Sequence, residues 1–458
     1  MNEDRRLFRS RRVVTPHGVH PAAVHVRAGV IVSVSGYDDT DADAPVIDAG
    51  NAILLPGLID THVHINDPGR TDWEGFESAT LAAAAGGVTT LVDMPLNSVP
   101  ATTTPAALAA KRARAHGRCR VDVGFWGGLV PDNIRELRAL AEAGVLGFKC
   151  FLVPSGVPEF EPVGEEELRR ALPVLAELGL PLLAHAELAG PLAAAAPVGG
   201  NPRSYARYLA SRPAQAEVEA IELLIGLARE TGAHVHIVHV SAAQALPLLR
   251  AARVEGVPIT AETCPHYLHF AAEHVPDGAT EYKCAPPIRG VSNREQLWRA
   301  LASGDLEIIA SDHSPCPPPM KQRDTGTFDD AWGGIASLQL GVSIVWTGAR
   351  RRGYDIAHIA EWMAAAPARL ASLGQRKGAI ASGCDADFVV FDPDASWTVD
   401  AAQLRHRHPI TPYAGETLTG SVLATYLRGE SIYEAGHAVG APRGRTLTRA
   451  GAGWISRS

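Results

Sequence analysis

His62 and His64 lie two residues apart, a spacing that puts both side chains on one side of an extended backbone, where they can grip one ion together. Lys149 is the lone charge in the otherwise apolar GFKCFL, and an uncompensated ammonium there would be costly to bury. It needs a partner. His185 ends PLLAHAE's apolar run, His239 ends HVHIVHV, and Asp312 follows EIIAS, so each falls at the end of a strand-length segment. Imidazoles and carboxylates suit Zn²⁺, Mn²⁺ or Co²⁺, and a set without thiolates argues for a catalytic rather than a structural zinc site. Two divalent ions about 3.5 to 4 Å apart require a bridging anion, and the uncommitted strand residue facing that point is Lys149. Its neutral amine can add carbon dioxide, giving a carbamate (N6-carboxylysine) with one oxygen for each ion.

Other candidates nearby are read differently. His234 and His236 precede His239 by odd offsets, which in a regular strand puts them on the opposite face as structural residues. His313 should point away from Asp312. His266, in TCPHYL, is a candidate to support a ligand or touch the substrate, and Asp60 is expected to hydrogen-bond a ligating imidazole.

These residues need a scaffold that gathers strand ends. Eight strand-length runs can be counted, at residues 53–60, 89–94, 121–127, 147–152, 181–186, 234–240, 259–263 and 307–311. Segments with helical spacing, such as residues 165–178 and 214–228, separate them. Strands alternating with helices imply a parallel sheet, and eight is the number of the α/β (β/α)8 TIM-type barrel, whose sites sit at the strand C-termini. The candidates all fall on that face. Residues 12–52 read as short β segments, and after residue 373 strands with Gly and Pro turns return. The expected organisation is therefore a barrel over residues 53–373 and a small β-sandwich module made by both chain ends, residues 1–52 and 374–458.

With 46% hydrophobic residues the chain of 458 has enough apolar content for a large core. A formal charge of −8 offers no basic face for nucleic acid, and the arginines at positions 5, 6, 9, 11 and 12 read as a solvated end. No run approaches the roughly 18 apolar residues of a membrane span, and no signal-type segment opens the chain, so a cytoplasmic location is expected. Six cysteines without a CxxC pair signal neither disulfides nor a thiolate metal site; they read as reduced packing residues.

PGLIDTHVHINDPG, the lysine of GFKCFL, HAE, HVS and SDHSP occur in the order found in the cyclic amidohydrolases of the urease-related superfamily, which the chain resembles over nearly its whole length. KGAIASGCDADFVVFDPD and YLRGESIYEAG look like that family's returning β module. The resemblance implies two metals, with His62, His64, carbamylated Lys149 and Asp312 around one, and Lys149, His185 and His239 around the other. Within the superfamily the sequence is similar to the allantoinases, through WEGFESAT, VDMPLNSVPATT, GFKCFLVPSGVPEF, KCAPPIR, SDHSPCPPPMK and AWGGI. Hydrolysis of the hydantoin ring amide of allantoin is therefore expected, with Asp312 as proton acceptor and donor. Asn97, Cys284, Ala285, Trp332, Gly333 and Gly334 are the expected substrate contacts, zinc the expected metal with manganese or cobalt as alternatives, and a homotetramer the expected assembly.

Three rivals can be weighed. A dihydroorotase would carry an arginine where Asn66 stands, to clamp the substrate carboxylate. A hydantoinase or dihydropyrimidinase, the alternative enzyme, would carry a hydrogen-bonding tyrosine where Pro154 stands. A non-catalytic scaffold would have lost metal ligands, and here the set is complete.

Overall fold

Gly57 is where the chain changes sheets. In the computed structural model, which describes residues 5–195 and 199–449, strand Ile53–Pro56 pairs with Arg5–Thr15 on one side and Phe388–Thr398 on the other. Residues 53–56, read from the sequence as the start of the first barrel strand, thus belong to the sheet built by the chain ends. A Cβ at Gly57 would lie 2.2 Å from Thr89 Oγ1 and 2.8 Å from Asp387 Cβ, so only glycine fits at this crossing.

Eight parallel barrel strands follow: β1 (Leu58–Val63), β2 (Val88–Asp93), β3 (Asp122–Phe125, continued by Gly127–Gly128), β4 (Phe148–Phe151), β5 (Leu182–His185), β6 (Val235–Ile237), β7 (Ile259–Thr263) and β8 (Ile308–Ile309). Each pairs with the next in parallel. The ring closes just beyond the strands, where Val63 bridges His313 and the His64 N–H donates to the His313 carbonyl at 2.9 Å. Helices cover the outside. Helix Glu165–Leu178 shows why: Leu168, Ala171, Leu172 and Leu175 recur at helical spacing and are all buried, three glutamates open its first turn, and Gly179 ends it in the left-handed conformation.

The chain ends build one sheet of nine strands, joined through Ile53–Pro56. Irregular registers at Ser10/Val13 and Val390/Phe391 bend it. Phe8 packs on Phe388 at 4.7 Å and Tyr426 at 5.0 Å, inside a core that both ends share. The N-terminal arginines are not a loose end, as the sequence suggested. They lie on strand Arg5–Thr15, where Arg9 bonds Asp48 at 2.9 Å, Arg12 Nε donates to the Asn51 carbonyl at 2.7 Å and Arg6 pairs with Glu430.

Between module and barrel lies a buried ionic cluster. Asp122, Asp385 and Asp387 surround the Lys377 ammonium at 2.8, 3.2 and 2.7 Å. Arg428 adds to Asp122 at 2.7 Å and Arg376 to Asp385 at 2.8 Å. Three carboxylates meet three cations, so this acidic group is already neutralised at the base of β3 and has no charge left for a metal. Among the described residues no helix is long and apolar enough to cross a membrane. All six cysteines are free and buried.

Candidate metal centre

Four residues around the barrel mouth take left-handed backbone angles rare outside glycine: Asn66 (φ 64°), Asn97 (φ 66°), His239 (φ 40°) and Asp312 (φ 47°). Each stands just past a strand, where the chain leaves the sheet, and such strain tends to gather at functional sites. Asp312 Oδ1 lies 3.2 Å from His62 Nε2 and 3.4 Å from His64 Nε2, close enough for one ion to be held by all three. Across the mouth, His185 Nδ1 and His239 Nε2 are 3.0 Å apart. The His62 and His239 rings, with centroids 5.3 Å apart, join the two pairs.

Carboxylates behind the histidines decide which nitrogens face inward. Glu262, on β7, accepts from His62 Nδ1 at 2.5 Å, and Glu187 accepts from His185 Nε2 at 2.9 Å. A ring that gives its proton to a carboxylate behind it keeps a lone pair in front, so His62 Nε2 and His185 Nδ1 are both free for a cation. Burial works against the ionised Glu262, yet His62 and His236 bring its carboxyl down to about 2. His185 and Arg212 do the same for Glu187 against its burial, Arg212 gripping it through Nε at 3.2 Å and through a second nitrogen. His64 Nδ1 meets the side-chain amide nitrogen of Asn97 at 3.3 Å, and the Asn97 Oδ1 has no partner. With the amide turned so that Oδ1 accepts the Nδ1 proton, His64 Nε2 also faces Asp312 with a lone pair.

Lys149 lies below these groups on β4. Its Nζ is buried, has no hydrogen-bond partner, and sits 5.0 Å from the Phe151 ring, which itself stacks on His185. Burial pulls the ammonium down to about 8, against the pull of Glu262 and Asp312. The free amine is therefore reached more readily than in an exposed lysine. An orphaned, readily neutralised amine near His185, His239 and Asp312 is chemically suited to becoming a carbamate. Burial also disfavours a charged Asp312, but His62, His64 and His266 hold its carboxyl below the ordinary range.

A cavity of about 590 Å³ opens above these groups. His62, His64, His185, His239 and Asp312 line its floor, and Asn97, Cys284, Ala285, Trp332, Gly333 and Gly334 line its walls together with Pro154 and Arg212. Asn66 is buried behind the cavity, its Nδ2 3.5 Å from the Pro315 carbonyl.

Three sequence expectations need correction. Asp60 does not meet an imidazole: its carboxylate accepts the His62 N–H at 3.1 Å and the Ser311 N–H at 3.2 Å, stapling β1 to the end of β8. His236 is not on a face remote from the site; its Nε2 reaches Glu262 at 3.1 Å. The parity count fails because β6 is regular for only three residues and the backbone turns at His239. His266 is absent from the cavity wall, so it does not touch the substrate; fully buried, with neither ring nitrogen partnered, it keeps only the supporting role beside Asp312. Asn97 lines the cavity as expected and also meets His64. Glu262 and Glu187 escaped the sequence reading, although Glu262 carries the same signal as Lys149, a lone charge in a barrel strand.

The Amidohydrolase family profile matches residues 53–432, and the profile described as Allantoinase, composite domain matches residues 3–52. The chain is 52% identical to an allantoinase of Streptomyces avermitilis over 98% of its own length and the whole of that protein. It is 46% identical to an allantoinase of Arabidopsis thaliana, covering 93% of this chain and 88% of the relative. Among solved structures it superimposes on the L-hydantoinase (dihydropyrimidinase) of Arthrobacter aurescens with a TM-score of 0.92 and 31% identity, over 97% of this chain and all of that one.

Proposed function

The chain belongs to the amidohydrolase family and, within it, to the allantoinases, and we propose that its reaction, hydrolytic opening of the hydantoin ring of allantoin to allantoate, runs on two divalent ions held by His62, His64, Lys149, His185, His239 and Asp312. The observation that carries this reading is the unpartnered Lys149 amine beneath convergent imidazole nitrogens whose lone pairs Glu262 and Glu187 aim inward. When bound, the ions would polarise the ring carbonyl and acidify the attacking water.

The chain's own groups do the rest. Lys149, as carbamate, supplies the anion that both halves of the site share. Asp312, ionised and beside both histidines of its cluster, accepts a proton from the water as its oxygen bonds to the carbonyl carbon. It returns that proton to the ring nitrogen as the C–N bond breaks, freeing the ureide nitrogen and leaving a carboxyl group that gives its remaining proton to solvent. Ala285 and the Trp332–Gly334 turn meet the ring from the walls, and Pro154 contributes no hydrogen-bond donor. Zinc in preference to manganese or cobalt, a homotetramer and a cytoplasmic location complete the proposal, supported by family membership.

The test is a panel of cyclic substrates offered separately to metal-replete protein. Allantoin should turn over fastest, hydantoin and dihydrouracil more slowly, and dihydroorotate undetectably, since Asn66 cannot clamp its carboxylate. Faster turnover of dihydrouracil than of allantoin would overturn the substrate assignment.

A further inference from the structure

Two lysines without a carboxylate partner flank the wall of the cavity that carries the Trp332–Gly334 turn. The Lys321 side chain is buried, 4% exposed, and its Nζ donates to the Trp332 carbonyl at 3.1 Å and to the Gly334 carbonyl. The half-buried Lys283 donates to the Ala331 carbonyl at 2.6 Å and the Asp329 carbonyl at 3.3 Å. Among the described residues neither ammonium has an ion-pair partner. Two ammoniums thus share four carbonyls of one six-residue stretch. Both ammoniums donate to main-chain carbonyls alone, so the path of this stretch depends on them for donors.

The main chain ties the same stretch to the site. Gly334 N–H donates to the Lys283 carbonyl at 2.8 Å, and Trp332 N–H to the Met320 carbonyl at 2.7 Å. At Gly334 (φ 141°) a Cβ would lie 2.3 Å from the Ser314 carbonyl oxygen, two residues after Asp312. The turn is therefore seated against the segment that presents Asp312. Its carbonyls point at the lysines, while Gly333 lies against the cavity with only Cys284 Cα, at 3.9 Å, near the position of a Cβ.

We infer that Lys283, itself on the cavity wall, and Lys321 are positioning residues for substrate recognition: by holding the carbonyls of Asp329, Ala331, Trp332 and Gly334, they fix the turn against which the cyclic ureide binds. The inference rests on the reading that this turn meets the substrate. Lys283 also makes the clamp sensitive to pH. Burial, Lys321 and Arg212 push its ammonium down to about 8 against the opposing pull of Asp329 and Asp330, with the Tyr208 ring 5.4 Å away. Below that pH the charged form holds its carbonyls; above it the neutral amine donates more weakly.

The experiment uses the zinc-loaded full chain and measures kcat, KM and bound zinc for Lys283→Met, Lys321→Met, Lys283→Arg and Gly333→Ala. Both methionine variants should raise KM for allantoin about tenfold or more, with kcat within about threefold of wild type and zinc unchanged, the pattern of lost uniform binding. Wild-type KM should climb as pH passes about 8, a rise absent in Lys283→Met and in the permanently charged Lys283→Arg, which should keep the wild-type KM at neutral pH. If Lys321→Met does not fold, Lys283→Met at its half-buried position carries the test. Gly333→Ala, whose methyl would enter the cavity, checks the underlying contact separately. An unchanged KM there refutes the contact and the inference with it. A raised KM there beside wild-type KM in the lysine variants refutes the clamp alone.

Discussion

Replacing Lys149 with alanine is expected to lower allantoin turnover by at least about 10³-fold, the upper range for loss of one electrostatic element of a preorganised site. Bound metal should fall with it. The reason is charge: two divalent ions among four neutral imidazoles and one carboxylate repel one another, and only an anion between them screens that repulsion at short range. The fold should survive, because alanine leaves an apolar strand with a cavity and removes a buried amine that had no partner. Acetate or propionate at high concentration, added with zinc, should restore part of the activity by occupying the vacated space. Lys149→Arg should resist such rescue, since a guanidinium stays charged and repels both ions. Full metal content and activity in the alanine variant without added acid would show that Lys149 bridges nothing.

Asp312→Asn should lower kcat by about 10² to 10⁴, the usual contribution of a general base. Asparagine keeps the shape of the side chain but neither takes the water proton nor delivers it to the ring nitrogen. His62, His64, His185 and His239 remain, with Glu262 and Glu187 holding two of them in the competent tautomer. Metal should therefore be retained in part and KM should change less than kcat. Ordinary kcat in this variant would assign the proton transfers to another group.

The parts of the site written in short spacings or in lone charges could be seen without a structure. His62 and His64 declare themselves by a spacing of two, Lys149 by being the one cation in an apolar strand, and His185, His239 and Asp312 by ending successive runs. The alternation of strands and helices supplied the barrel that brings them together. What stayed hidden depends on where the backbone departs from regularity. The parity argument for His236 assumed a strand continuing to His239, but the chain turns there with φ 40°. Residues 53–60 read as one apolar strand because the change of sheet at Gly57 leaves no mark in hydrophobicity, only a glycine. Contacts between residues far apart in the chain, Glu262 with His62 and Lys321 with the Trp332–Gly334 turn, follow from closure of the barrel and the path of its loops. Asn97 shows the same limit in reverse: its place on the cavity wall was foreseen, its hydrogen bond to His64 was not.

The central claim is that allantoin is opened at a centre of two ions held through Lys149. The most direct test is to titrate metal-free protein with zinc in the presence of bicarbonate while following allantoate formation and zinc bound per chain. The account predicts negligible turnover before metal is added and full turnover only as a second ion per chain is bound, with bicarbonate required for that second binding event. Full allantoin turnover by metal-free protein, or a plateau reached with a single ion per chain, would contradict it.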